Sequence, residues 1–137
     1  MEFEHIDNTK GEGQAELLSH FQGEAKIQPF PSPFPDGPAV FAVHFQPGGR
    51  TRPHTHRLGQ VLHVTSGKGI IGSGEGRRVV GPGDVVVVMP EEWHWHGATP
   101  DSPMTHLTIQ FPGPDSVNWD VEERDWASDY TPSTGTA

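Results

Sequence analysis

Apolar residues in this chain fall in short runs that mostly alternate with polar ones, and Gly and Pro break the runs at close intervals. A period of two is the mark of a β-strand with one face on a core. The pattern predicts strands over 23–30, 39–46, 51–55, 60–65, 69–73, 77–80, 84–89, 93–98 and 104–111. Pro47-Gly48-Gly49, Ser66-Gly67-Lys68-Gly69, Gly74-Glu75-Gly76 and Gly81-Pro82-Gly83-Asp84 supply the turns between them. Pro29, Pro31, Pro33, Pro35 and Pro38 make an extended loop that cannot be helical. Residues 14–21 can form one or two helical turns, and 115–126 a last short strand or helix. Residues 127–137, built of Ala, Ser, Thr, Gly and Pro, are expected to be disordered. Short strands at regular spacing, without a long helix or a repeat, predict an all-β antiparallel sandwich or barrel.

Two strands carry more than their length. Along 104–111 one face holds Thr105, Leu107, Ile109 and Phe111, and the other Met104, His106, Thr108 and Gln110. The polar set faces either solvent or a partly polar barrel interior, so His106 is either a surface or a pocket residue. Val85 to Val88 is apolar on both faces and has to be covered twice. A second copy of the chain is the simplest second cover, and a homodimer is expected.

The length of 137 residues suits one domain. A net charge of −9, with basic residues grouped only at Arg77-Arg78 and between Arg50 and Arg57, speaks against nucleic acid as a partner. The acidic residues of the tail read as a solvated surface. The absence of cysteine excludes disulfides, thiolate metal sites and cysteine nucleophiles. No apolar segment approaches the ~20 residues of a membrane span. The N-terminus is acidic and lacks the apolar stretch of a secretory signal, so a cytoplasmic protein is expected.

Nine histidines occur, seven of them from His44 to His106. His54 and His56 are two apart, so on a strand they share a face. The Arg57-Leu58-Gly59 segment can turn Gln60 toward the same point, and His94 or His96 can close the set from another strand. Three imidazoles and an amide oxygen suit a divalent transition metal. His63 alternates with Gln60, Leu62 and Val64 and is expected to face outward. His5 and His20 read as surface residues, and Trp93 and Trp95 as packing or dimer residues. No phosphate loop or serine-nucleophile elbow is present.

With these pieces placed, the chain resembles the cupin superfamily. Gly49-Arg-Thr-Arg-Pro-His54-Thr-His56-Arg-Leu-Gly-Gln60 through Gly67 is similar to the first cupin motif, and Gly83 through His94 to the second. The resemblance implies a double-stranded β-helix, or jelly-roll, over about 23–111, followed by a C-terminal extension over 112–126. Counted from Gly83, the histidine ligand of the second motif is His94. The usual glutamate ligand is Gln60 here, and the usual proline and glycine of the second motif are Met89 and Glu91. Gln60 adds no charge, so an ion would keep its full +2, bind more weakly and act as a sharper Lewis acid.

More narrowly, the chain is similar to small bacterial single-domain cupins that include the manganese-dependent hydroxynitrile lyases. That resemblance implies His54, His56, Gln60 and His94 as ligands, manganese as the first choice of metal (with Fe, Ni, Zn or Co as others), and His106 as the base, assisted by His96 or Thr51. Strand register points Phe41 and Val43 into a small-molecule pocket and His44 away from it; Leu62, Met104 and Gln110 are further candidate pocket residues, and Arg52 or Arg57 is the candidate to reach a substrate carboxylate. Phe41 is bulkier than the small residue such a lyase would carry there. An inward Arg52 would favour an acidic substrate. The expected activity is a non-oxidative C–C lyase or a related decarboxylase or isomerase. An Fe(II) dioxygenase and a non-catalytic binding protein are the alternatives.

Overall fold

The computed structural model describes residues 1–13 and 20–124. The helical turns expected over 14–21 therefore lie mostly outside the described residues, as does the disorder expected over 127–137; Phe21, at the edge of that range, opens a strand. In chain order the strands are β1 (Phe21–Gln22), β2 (Ala25–Phe30), β3 (Ala39–Phe45), β4 (Arg50–Thr51), β5 (Thr55–His56), β6 (Gln60–Gly67), β7 (Gly69–Ser73), β8 (Gly76–Val80), β9 (Val85–Val88), β10 (His94–Ala98), β11 (Met104–Gln110) and β12 (Val117–Asn118). No helix among the described residues is long and apolar enough to cross a membrane.

Two antiparallel sheets face each other, ordered β1-β4-β10-β7-β8 and β2-β3-β11-β6-β9, and β12 pairs with β5 beside them. This is the expected all-β jelly-roll. One predicted strand is corrected: 51–55 is divided into β4 and β5. Pro53 has no N–H to give a ladder and breaks the pairing.

Cross-strand rows show which way each face points. Phe41, Thr108, Leu62 and Val86 lie opposite one another across four strands, and Val43, His106 and Val64 form the next row. Val43, Phe45, Val64, Val80, Ala98 and Met104 make the core between the sheets, with Phe41 and Val86 packed against it. The set Met104, His106, Thr108 is thus the inner face of β11, and all three are buried.

On the outer face, Val40, Ile109, Val61 and Val87 form an apolar row across the sheet. Val85 and Val87 are 58% and 61% exposed, whereas Val88 is buried and Val86 packs on the core. The two-sided apolar strand is therefore covered once within a single chain.

His44 does point away from the interior, but it is buried. Its Nδ1 lies 2.8 Å from Thr105 Oγ1 and its Nε2 3.0 Å from Gln28 Oε1. Gln28 in turn donates to the carbonyl of His5 and accepts from the N–H of Asp7. The N-terminal arm is clasped over this part of the sheet, so His44 is a packing residue. On the outer face of the other sheet Trp95 packs fully buried with Ile70, Val79 and Trp93. The guanidinium carbons of Arg50 and Arg77 lie 5.3 and 5.8 Å from its ring centre. Trp95 is the packing residue its alternation predicts.

Candidate metal centre

The two motifs meet through a backbone bridge. His54 N–H donates to His94 O at 2.9 Å, and His94 N–H donates back to His54 O at 3.2 Å. Directly opposed residues of an antiparallel pair hold their side chains side by side. His56 follows on β5. The chain then turns at Gly59, whose φ of 84° is in the left-handed region that glycine enters freely. This turn delivers Gln60 at the start of β6. Glu91 N–H donates to His56 O at 2.8 Å and ties the second motif to the first.

The ligand-capable nitrogens of His54, His56 and His94 all lie within 4.8 Å of one another. Gln60 Oε1 is 3.1 Å from His94 Nε2. All four side chains are buried. His54 Nδ1–H donates to Arg52 O at 2.7 Å, and His94 Nδ1–H to Glu92 O at 3.0 Å. These bonds select the tautomer whose Nε2 carries a lone pair toward the cluster. His56 Nε2 is buried with no partner in the protein. Gln60 Nε2 donates to Gln110 Oε1 at 2.7 Å, which presents the amide oxygen, rather than the nitrogen, to the histidines.

Burial holds all three imidazoles below their ordinary pKa. Repulsion among them adds to this at His54 and at His56, which falls to about 4. Neutral imidazole is the form that binds a metal. A buried orphan nitrogen, converging lone pairs and a set neutral at pH 7 fit a divalent transition ion.

Behind this cluster sits a second histidine pair. His96 Nδ1 is 2.9 Å from His106 Nε2, and His106 Nδ1 is 3.0 Å from Thr108 Oγ1. The His96 ring centre lies 5.4 Å from that of His54 and 5.6 Å from that of His94, and its Nε2 is buried without a partner. Burial pushes His106 down to about 3, and burial with the nearby His106 takes His96 well below its usual value. Thr51 Oγ1 accepts the backbone N–H of His96 at 3.2 Å, so it holds the strand that carries this ring.

The substrate-pocket expectations divide. Val43 lies opposite His106, and Phe41 and Leu62 flank Thr108, all on the inner face. Gln110 holds Gln60. Met104 belongs to the packed core with Phe45 and Val64. Arg52 is corrected: its guanidinium pairs with Glu123 at 2.9 Å at the surface, because the chain at Pro53 breaks the alternation that would have placed it beside His54.

Two residues were missed. Trp119 lies with its ring centre 4.4 Å from His54, and His20, read as a plain surface residue, stacks on Trp119 at 4.1 Å and 12°. The extension that carries Trp119 is a strap. It pairs with β5 at Val117–His56 and is pinned where Trp93 Nε1 donates to Glu122 O at 2.7 Å. Only a tryptophan set among the acidic residues of the tail hinted at this.

The family profile described as Cupin domain matches residues 41–110, and those residues include every member of the cluster. The chain belongs to the cupin family. This cupin is 46% identical over 114 residues to an (R)-mandelonitrile lyase of Granulicella tundricola, a match covering 80% of this chain and 84% of that protein. The crystal structure of a cupin-like protein from Thermotoga maritima superposes with a TM-score of 0.72 at 32% identity, over 86% of this chain and 90% of that one. The polyketide cyclase RemF from Streptomyces resistomycificus, at TM-score 0.70 and 18% identity over 90% of this chain and 89% of that one, shares the fold. The strap of this cupin lies beyond residues 41–110, the segment matched by the family profile.

At the position of the second motif's usual glycine, Glu91 adopts a φ of 65°. A side chain in that region costs about 1 kcal/mol or more. Glu91→Gly is therefore expected to raise unfolding stability by about 0.5–1 kcal/mol, after glycine's own entropic cost. Denaturant unfolding measures it; an unchanged or lower midpoint would show that the Glu91 side chain compensates its backbone.

Proposed function

We propose that this cupin is a metal-dependent lyase that cleaves a cyanohydrin to an aldehyde and hydrogen cyanide. The observation that carries this reading is the buried His96–His106 pair lying against a neutral ligand cluster. The 46% identity to an (R)-mandelonitrile lyase supports it. His54, His56, Gln60 and His94 would hold the ion, with manganese our first choice and Fe, Ni, Zn or Co the others. When bound, the ion supplies Lewis acidity that makes a substrate hydroxyl easier to deprotonate.

The residues of the chain then move one proton. His96 Nε2 takes it from the hydroxyl. His96 Nδ1 hands its own proton to His106 Nε2, while His106 Nδ1–H stays bonded to Thr108 Oγ1. The electron pair left on oxygen closes the carbonyl, and the C–CN bond breaks with its electrons on cyanide. The proton returns by the same route and gives HCN. Because burial makes both imidazoles weak bases, the relay works only on an acidified hydroxyl, and it gives the proton back readily. Phe41, Val43 and Leu62 supply the apolar wall.

The test is to load the protein with each of the five metals and supply (R)- and (S)-mandelonitrile. The expected result is equal release of aldehyde and cyanide, faster from the (R) form and without oxygen uptake. Failure to release cyanide with every metal would sink the reading, and oxygen uptake would replace it with a dioxygenase. We also propose a homodimer whose two-fold buries the Val40–Ile109–Val61–Val87 row. The protein should then sediment at twice 15.0 kDa, and a species of single mass at all concentrations would refute it.

A further inference from the structure

β8 and β9 are end strands of different sheets and are not paired with each other. Between them runs a cleft of about 1140 Å³ that reaches His94. The inner side of its β9 wall is Val86 and Val88. The β8 wall carries Arg78. Val80 packs in the central core, so Arg78, two residues before it, is on the inner face too. Arg77 and Val79 face the other way, toward Trp95. In register, His96 is opposite Ile71, and Ile71 is opposite Arg78. With strands ~4.8 Å apart, the Arg78 backbone lies about 10 Å from that of His96.

An arginine on the inner face of a barrel is an unusual choice, and this one is exposed to the cleft. Among the described residues it makes no hydrogen bond or ion pair. Three carboxylates share the cleft. Two are occupied: Asp84 Oδ2 accepts Gly81 N–H at 2.8 Å and Glu92 Oε1 accepts Met89 N–H at 3.0 Å. The third, Glu75, sits in the turn before β8. The cleft thus has one imidazole of the cluster, His94, at one end, an apolar wall and, among the described residues, one guanidinium without a partner at Arg78.

We propose that Arg78 anchors a carboxylate at the far end of the substrate, so that the substrate class is an elongated hydroxy compound with an apolar middle and an anionic tail. This rests on the lyase reading for what happens at the other end. A guanidinium grips a carboxylate through two parallel N–H bonds. The role that an inward Arg52 would have played passes to Arg78.

Calorimetric titration of the purified protein with benzaldehyde, 4-carboxybenzaldehyde and its neutral 4-carbamoyl analogue tests this without turnover. The parent is expected to bind the carboxylate about tenfold more tightly than either neutral aldehyde. Arg78→Met should erase that preference, and Arg78→Lys should keep part of it. Equal or absent binding of the three by the parent, or a preference that survives in Arg78→Met, would overturn the proposal. A carboxylate preference in a protein that releases no cyanide from mandelonitrile would leave Arg78 standing and remove only the lyase reading.

Discussion

Replacing His54 and His56 together by alanine is expected to lower the bound divalent ion from about one per chain to below about a tenth, and lyase activity with it. Two of four ligand side chains are removed, whereas loss of a single supporting partner of a ligand already costs about 10–100-fold in affinity. The fold should survive. The His54–His94 bridge is made by backbone atoms, and His56 Nε2 has no protein partner to lose. Metal content by mass spectrometry, beside far-ultraviolet dichroism, reads both quantities. An ion retained at full occupancy in the double variant would move the metal elsewhere and remove the basis of the mechanism. The element found in the parent also chooses between manganese and the other four metals.

The second large effect is at the proton relay. His106→Gln and His96→Gln are each expected to lower kcat by about 10²–10⁴ while leaving ion content unchanged, which is the usual worth of a positioned acid–base group. The two rings share one hydrogen bond, His96 Nδ1 to His106 Nε2 at 2.9 Å. They should therefore fail as a unit, and the double variant should be no slower than the worse single one. Losses that multiply in the double variant would indicate two independent packing defects. Loss of the ion in His106→Gln would show that the pair supports the ligands instead of moving a proton.

Much of this was legible along the chain. The spacing of His54 and His56 places both on one face because side chains alternate on an extended chain. Gly83 sets the count that ends on His94, and Gly59 supplies the turn that returns Gln60. Both are local properties, carried by a few neighbouring residues. The boundaries of most strands follow from Gly and Pro for the same reason. Pro53 was the exception, because the division of one strand into β4 and β5 depended on which neighbours needed its missing N–H.

Other features depend on contacts between distant segments. Alternation shows that β11 has two faces but not which one is inside. Its more apolar set, Leu107, Ile109 and Phe111, is the one turned out. The polar set goes in because His106 meets His96 of the facing sheet and Gln110 meets Gln60 on the neighbouring strand β6. Arg52 and Arg78 look alike as letters. One is drawn to Glu123 at the surface and the other stands in a cleft left where two sheets end without pairing. Trp119 comes to His54 only because β12 adds to β5 from sixty residues away, about the separation shown by the register of Val117 with His56. The sequence by itself determined most of the strands and the spacing of the two histidine motifs, since these rest on period and local turns, and the motifs in turn carried the resemblance to the family. Only the tertiary structure decided which polar groups face one another inside the barrel and which arginine stands in the cleft with no partner among the described residues, because burial and pairing are properties of the packed sheets.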